Sequence, residues 1–152
     1  MSRTTIAVIG AGSADDETIG MAEEVGRLIA KHGALLVCGG LGGVMEAASR
    51  GAKAGGGTTT IGILPGTSTR EANAWIDIPI ATGMGEARNV VIVQTADAVI
   101  AVGGEYGTLS EIAFALKSGK PVIGLRSWDI PGMTRAEHAA DAVNQAFTAL
   151  QP

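Results

Sequence analysis

Short, largely apolar runs that end in glycine-containing loops recur along this chain. The runs are Thr5 to Ile9, Ala34 to Cys38, Thr58 to Leu64, Ala98 to Val102 and, near the end, Pro121 to Leu125. Runs of this length, without a polar residue at every second position, are typical of strands buried on both faces of a parallel sheet. The pattern predicts an α/β fold, Rossmann-like in outline, with three α/β/α layers around a mainly parallel sheet.

Helical patterns separate these runs, as the crossovers of a parallel sheet require. We predict helices after Asp15, from Val44 to Lys53, from Glu86 to Gln94, between Gly107 and Gly119, and from Thr134 to Leu150. The fourth helix should carry Leu109, Ile112, Ala113 and Leu116 on one face. Residues 70–84 show little pattern beyond a short strand at Ile78 to Ala81. With 152 residues and no linker, we expect residues 1–152 to form a single domain.

Charge and composition exclude several classes of function. The net charge of −4 argues against a nucleic-acid partner, because binding to a phosphate backbone relies on clustered Lys and Arg. No leader segment or membrane span is visible, so we expect a cytoplasmic protein with no membrane partner. The single cysteine, Cys38, should be a small buried residue. His32 and His138 are too isolated to ligate a metal, so no protein-ligated metal site is expected.

Four glycine-rich loops follow predicted strands, and they are Gly10 to Ser13, Gly39 to Gly43, Pro65 to Thr69 and Gly103 to Thr108. Ligands of such sheets bind outside the carboxyl ends of the strands. Glycine lets the backbone approach a ligand closely, and helix-start N–H groups bind anions. We therefore expect one crevice for a phosphate-bearing, nucleotide-like small molecule, although a tight turn without a ligand would explain any one loop alone.

Two familiar nucleotide motifs are absent. Gly10 and Gly12 match the start of G-x-G-x-x-G, but Asp15 stands at the third glycine, and the second strand ends in Cys38-Gly39 without an acid for a ribose. No G-x-x-x-x-G-K-[ST] segment occurs either. NAD binding and P-loop chemistry are therefore not expected.

Two charged residues stand out by their placement. Arg88 begins a predicted helix, where its guanidinium could grip a phosphate or carboxylate with two hydrogen bonds; the alternative is an ordinary arginine on a helix surface. Glu111 follows Thr108 by three residues, so it either faces the crevice or only satisfies N–H groups at the helix start, as in a capping box. Glu46 and Glu86 are weaker candidates of the same kind. No base with a tuned pKa is evident.

Four segments together carry a resemblance to a known superfamily, and they are Cys38 to Ala47, Ile61 to Gly66, Thr82 to Asn89 and Gly103 to Glu111. They resemble the superfamily of the LONELY GUY (LOG) phosphoribohydrolases and the molybdenum cofactor carrier proteins. The similarity spans the chain from Val8 to about Leu125 and is closer to the carrier-like branch. It implies a Rossmann-like fold and a homodimer or homotetramer.

In the hydrolase branch, the motif P-G-G-x-G-T-x-x-E is preceded by M-H-x-R-K, and its arginine and glutamate cleave a base from ribose 5-phosphate. Arg88, Thr108 and Glu111 match those positions, so Arg88 and Glu111 would be catalytic if the chain is such an enzyme. The departures from the motifs include Gly103 for proline, Glu105 for glycine, Glu86 for histidine and Asn89 for lysine. An added acid and a lost cation weaken binding of a doubly charged nucleotide.

The resemblance therefore favours a carrier whose cargo is the molybdenum cofactor, a pterin with a phosphate, and LOG-type hydrolysis of nucleoside 5′-monophosphates is the alternative. Whether the chain is an enzyme stays open at this point. The predicted ligand-binding residues come from the loops and the matched motifs, and they are Gly10, Gly12, Ser13, Gly39, Gly40, Gly42, Gly43, Pro65, Gly66, Thr67, Gly85, Arg88, Asn89, Gly103, Gly104, Gly107, Thr108 and Glu111.

Overall fold

A computed structural model describes residues 3–152 and shows a seven-stranded sheet with helices on both faces. The strands are β1 (Thr5–Gly10), β2 (Leu35–Cys38), β3 (Thr60–Leu64), β4 (Ile78–Ala81), β5 (Ala98–Val102), β6 (Val122–Leu125) and β7 (Thr134–Ala136). The α-helices are α1 (Asp16–Lys31), α2 (Val44–Ala54), α3 (Asn89–Thr95), α4 (Tyr106–Lys117) and α5 (Ala139–Ala149). Short 3-10 helices cover Thr69–Glu71 and Gly85–Arg88.

The strand order β4-β3-β2-β1-β5-β6-β7 is parallel at every pairing. The chain moves outward from β1 to β4 and then returns to place β5 beside β1, with Gly10 paired to Val102. The order therefore reverses between β1 and β5, and this is the point at which open α/β sheets open a crevice for a ligand.

Alternate residues of each central strand enter two separate cores. Ile6 and Val8 of β1 pack beneath α1, α2 and α5, whereas Ala7 and Ile9 pack beneath α3 and α4. This arrangement confirms the predicted three-layer α/β/α fold with a parallel sheet. That residues 1–152 form a single domain stays a prediction.

Two predicted helices were wrong at their starts. The closing helix begins at Ala139 and not at Thr134, because Thr134–Ala136 forms a strand that pairs with β6. Residues 86–88 belong to a 3-10 helix, and the α-helix begins only at Asn89. In both places an apolar spacing fitted more than one kind of backbone, and tertiary packing decided between them.

The predicted inner face of α4 was right for Ile112 and Leu116, which pack in the core, and wrong for Ala113. Ala113 is exposed, while Thr108 and Glu111 are buried together with Ile112 and Ala115. Polar side chains turn inward here because this end of α4 borders a cavity. Among the described residues, no helix is long and apolar enough to cross a membrane.

Helices α1 and α2 approach closely enough to require glycine. A Cβ atom at Gly26 would lie 1.9 Å from the carbonyl oxygen of Ala48, and one at Gly51 would lie 1.9 Å from that of Glu23. Each helix thus presents a glycine to the backbone of the other. This contact fixes the layer that carries the loops after β1 and β2.

We expect Gly26→Ala to lower the free energy of unfolding by about 1–3 kcal/mol, because an added methyl group forces two packed backbones apart. Gly20→Ala is the matched control in the same helix, since nothing lies within 4 Å of a Cβ atom there. The control should raise stability by about 0.5–1 kcal/mol, because alanine favours the helix over glycine. Urea unfolding measures both changes, and equal destabilisation by the two variants would contradict the close contact.

Candidate functional site

A cavity of about 280 Å³ lies at the carboxyl ends of β1, β2 and β5. The loops after these strands and the segment before α3 line it, through Val8, Ile9, Gly10, Ala11, Gly12, Gly39, Leu41, Met45, Glu86, Arg88, Asn89, Glu105, Gly107, Thr108 and Glu111. The reversal of strand order between β1 and β5 opens the sheet edge at this place. The site therefore follows from the topology.

Arg88 is the central cation of the cavity. Its side chain is 5% exposed, so it is not the ordinary surface arginine that the sequence left as an alternative. One Nη donates to Oδ1 of Asn89, the other makes a long 3.5 Å contact with the carbonyl oxygen of Gly39, and Nε has no hydrogen-bond partner among residues 3–152. No carboxylate forms an ion pair with Arg88 within this part of the chain. A buried guanidinium in this state is suited to receive an anion.

Gly39 makes room for this guanidinium. A Cβ atom at position 39 would lie 2.8 Å from one Nη of Arg88 and 2.7 Å from the sulfur of Met45. The glycine that ends β2 thus serves close packing against a charged side chain.

Glu111 faces Arg88 from α4 and is 7% exposed. It is not a cap, because α4 begins at Tyr106 and no side chain makes a capping hydrogen bond there. Burial raises the pKa of Glu111 from its usual 4.5 to about 8, with Arg88 lowering it and Glu86 raising it further. The expectation that no residue here has a tuned pKa was therefore wrong, because the burial that raises this pKa arises only on folding.

The remaining charges divide the cavity into two ends. Glu86 and Glu105 are exposed and lie at the mouth, whereas Arg88 and Glu111 lie inside. Since Glu111 keeps its proton at neutral pH, the inner end carries a net positive charge there. Cys38 is fully buried behind this end, as predicted, and burial raises the pKa of its thiol.

Eight of the eighteen predicted binding residues line the cavity, and they are Gly10, Gly12, Gly39, Arg88, Asn89, Gly107, Thr108 and Glu111. Ser13, Gly40, Gly42, Gly43, Gly85, Gly103 and Gly104 belong to the adjoining segments without lining it. Pro65, Gly66 and Thr67 follow β3, and the carbonyls of Pro65 and Gly66 accept from the N–H groups of Gly85 and Gly83. That loop thus supports the segment that carries Arg88. The ligand role of all eighteen residues stays a prediction.

Several lining residues were not predicted. Leu41, Met45 and Glu105 lie inside or next to the glycine-rich loops, and this proximity is the feature of the sequence from which they could have been predicted. Val8 and Ile9 lie within β1, and nothing in an apolar run separates a lining position from a core position. Among the described residues, no group of three or more His, Cys, Asp and Glu side chains is placed to hold a metal ion.

A family comparison covers almost the whole chain, because the SLOG cluster4 family matches residues 3–150. The chain belongs to the SLOG cluster4 family. This membership confirms the resemblance to the LOG and molybdenum cofactor carrier superfamily. An uncharacterised protein of Archaeoglobus fulgidus is 51% identical to this chain over 149 residues, which are 97% of each chain.

Solved structures of the same architecture match this SLOG cluster4 protein from end to end. The molybdenum cofactor binding protein of the phototrophic bacterium Rippkaea orientalis is 38% identical, with a TM-score of 0.94 and 99% of both chains covered. The molybdenum cofactor carrier protein of Chlamydomonas reinhardtii is 38% identical, with a TM-score of 0.90 and coverage of 98% and 99%. The DNA processing protein A of Helicobacter pylori, at 19% identity and a TM-score of 0.73, shares the fold alone.

The raised pKa of Glu111 predicts a pH dependence of stability. In the unfolded chain this carboxyl titrates near 4.5, so between about pH 4.5 and pH 8 the folded SLOG cluster4 protein holds a proton that the unfolded chain has lost. The contribution of Glu111 to the free energy of unfolding must therefore fall as the pH rises through this window.

Glu111→Gln removes this titration, so we expect the variant to gain stability relative to the wild type as the pH rises from 5 to 8. Urea unfolding at intervals of one pH unit measures the difference. A difference that stays constant over this range would show that Glu111 ionises normally in the folded protein.

Proposed function

We propose that this protein binds the molybdenum cofactor in the cavity and holds it as a carrier, without converting it. The observation that carries the proposal is the buried Arg88 guanidinium, which lacks an ion-pair partner among residues 3–152 and lies at the glycine-lined inner end. The phosphate of the cofactor would supply the missing anion. The full-length likeness to cofactor binding and carrier proteins supports this choice of ligand.

The chemistry of the inner end fits a phosphate. Arg88 offers charged N–H donors, and the protonated Glu111 adds a neutral O–H donor. Gly12 leaves the nearby backbone accessible to a ligand, since only the end of the Met45 side chain lies within 4 Å of a Cβ atom there. The cofactor brings its own metal and redox chemistry, and the protein's part is to bind and orient it.

The carrier proposal predicts a defect in a single variant. Arg88→Gln should weaken binding of the released molybdenum cofactor about tenfold or more, because a charge-assisted hydrogen bond contributes about 1.5–3 kcal/mol. Anaerobic gel filtration followed by molybdenum analysis of the protein peak measures retention. Arg50→Gln is the control, since Arg50 pairs with Glu23 outside the cavity and its loss leaves the site intact.

Two outcomes would contradict the carrier proposal. A wild-type protein that elutes without molybdenum lacks the proposed ligand. An Arg88→Gln protein that retains as much cofactor as Arg50→Gln shows that Arg88 does not hold the phosphate.

A second candidate function rests on Glu111. A carboxyl with a pKa of about 8 is protonated at neutral pH and can donate its proton to a leaving base, as the acid of a glycosidase does. Arg88 beside it would hold the phosphate of a nucleoside 5′-monophosphate. The chain would then be a LOG-type phosphoribohydrolase that releases a free base and ribose 5-phosphate.

Incubation with a panel of nucleoside 5′-monophosphates, followed by chromatography of free base, tests this second function. Hydrolysis predicts base release by the wild type and its loss in both Glu111→Gln and Arg88→Ala. The absence of base release from every substrate, with an intact fold, would remove the hydrolase from consideration.

The remaining expectations concern partners and location. A homodimer or homotetramer stays a prediction, and the exposed apolar side chains of Ile78, Ile80 and Phe114 offer surface for an interface. The absence of a nucleic-acid partner and the cytoplasmic location also stay predictions.

A further inference from the structure

Two aromatic side chains, the exposed Tyr106 and the half-buried Trp128, lie beside the mouth of the cavity. Tyr106 is 81% exposed, and its ring centroid lies 6.0 Å from that of Trp128 at an angle of 31°. The chain has only two Trp, one Tyr and two Phe residues. Tyr106 stands between Glu105 and Gly107, both of which line the cavity. We call Tyr106 and Trp128 the aromatic rim.

Hydrogen bonds hold the Trp128 half of the aromatic rim in place. Nε1 of Trp128 donates to the carbonyl oxygen of Glu105 at 3.0 Å, and Oγ of the adjacent Ser127 donates to that of Gly103 at 2.6 Å. Both bonds tie the loop after β6 to the loop after β5. Arg126, which begins this loop, has a φ of 51°, a conformation that non-glycine residues adopt only where surrounding contacts enforce it.

Folding alone does not account for Tyr106. An 81% exposed ring gains little from burial, and Tyr106 makes no capping hydrogen bond at the start of α4. A large exposed aromatic residue at a cavity mouth, positioned by a tethered tryptophan, is better explained by a ligand that covers it.

The cavity itself is too small for a large ligand. Its volume of about 280 Å³ lies at the lower limit of ligand sites. A molecule that combines a phosphate with a fused ring system must therefore extend beyond it. Charge sets the direction, because Glu86 and Glu105 at the mouth repel a phosphate, whereas Arg88 attracts it inward.

We propose that the aromatic rim is a stacking subsite for the flat heteroaromatic ring of the ligand, whose phosphate lies inside at Arg88. This inference rests on the proposed function for the phosphate end only. The stacking subsite, which we call the ring end of the site, requires only that the ligand carry a planar fused ring such as a pterin. Stacking of one such ring on an aromatic side chain changes affinity by about fivefold to a hundredfold.

Unphosphorylated pterin is the probe that isolates the ring end. In a titration of the ¹⁵N-labelled wild-type chain, the indole N–H signal of Trp128 should shift saturably, while that of Trp75, which lies near the opposite edge of the sheet, should not. Trp128→Phe assigns the signal. No shift, or an equal shift of both signals, would overturn the subsite.

Variants of Tyr106 then test the stacking itself. Tyr106→Ala should weaken pterin binding about fivefold or more and leave the affinity for ribose 5-phosphate, the phosphate probe, unchanged. Tyr106→Phe keeps the ring and should bind pterin as the wild type does. Equal pterin affinities in all three proteins, or a parallel loss of ribose 5-phosphate affinity in Tyr106→Ala, would overturn the proposal.

The two proposals fail in different ways. If the wild type binds pterin through Tyr106 but retains no molybdenum cofactor, the carrier function fails and the stacking subsite stands. The opposite result has two parts: the wild type and Tyr106→Ala retain the cofactor equally, and pterin shifts the indole N–H signal of Trp128 in neither protein. The carrier function then stands and the subsite fails.

Discussion

The pairing of β5 with β1 determines where everything else in this protein lies. This contact reverses the strand order and leaves a gap at the carboxyl ends of two adjacent strands, because the following chain segments turn to opposite faces of the sheet. The loops after β1 and β5 form the walls of that gap, and Arg88 enters it from the segment that precedes α3. The chain topology thus creates the cavity, and individual side chains such as Arg88 determine its charge.

The architecture could be predicted from sequence because its signals are local and repeated. Each apolar run before a glycine-rich loop, such as Thr5–Gly10 or Ala98–Val102, indicates a buried strand without reference to the rest of the chain. The start of the last helix was harder to predict from sequence, since Thr134–Ala136 forms a strand only because β6 is there to pair with it. The spacing of apolar residues along the chain does not show which strand will lie beside a segment in the fold.

The same distinction applies to the candidate site, whose location could be predicted from sequence while the state of its side chains could not. Glycines at strand ends and the motif around Arg88 and Glu111 pointed to the edge of the sheet where the cavity lies. The state of these side chains did not follow from their spacing, because the burial of Arg88 and the raised pKa of Glu111 arise from packing between distant segments. Trp128 shows the same limit, since only the folded chain brings the loop after β6 to Glu105.

The neighbourhood of Arg88 and Glu111 would couple the binding of an anion in the cavity to proton exchange. An anion beside Glu111 makes ionisation of that carboxyl more difficult, and by thermodynamic reciprocity the proton on Glu111 holds the anion more firmly. Glu86 acts in the same direction as the anion, and Arg88 opposes it. For an anion bound as proposed, its departure and the release of a proton are parts of one equilibrium, so the anion would leave more readily in an alkaline medium than in an acidic one.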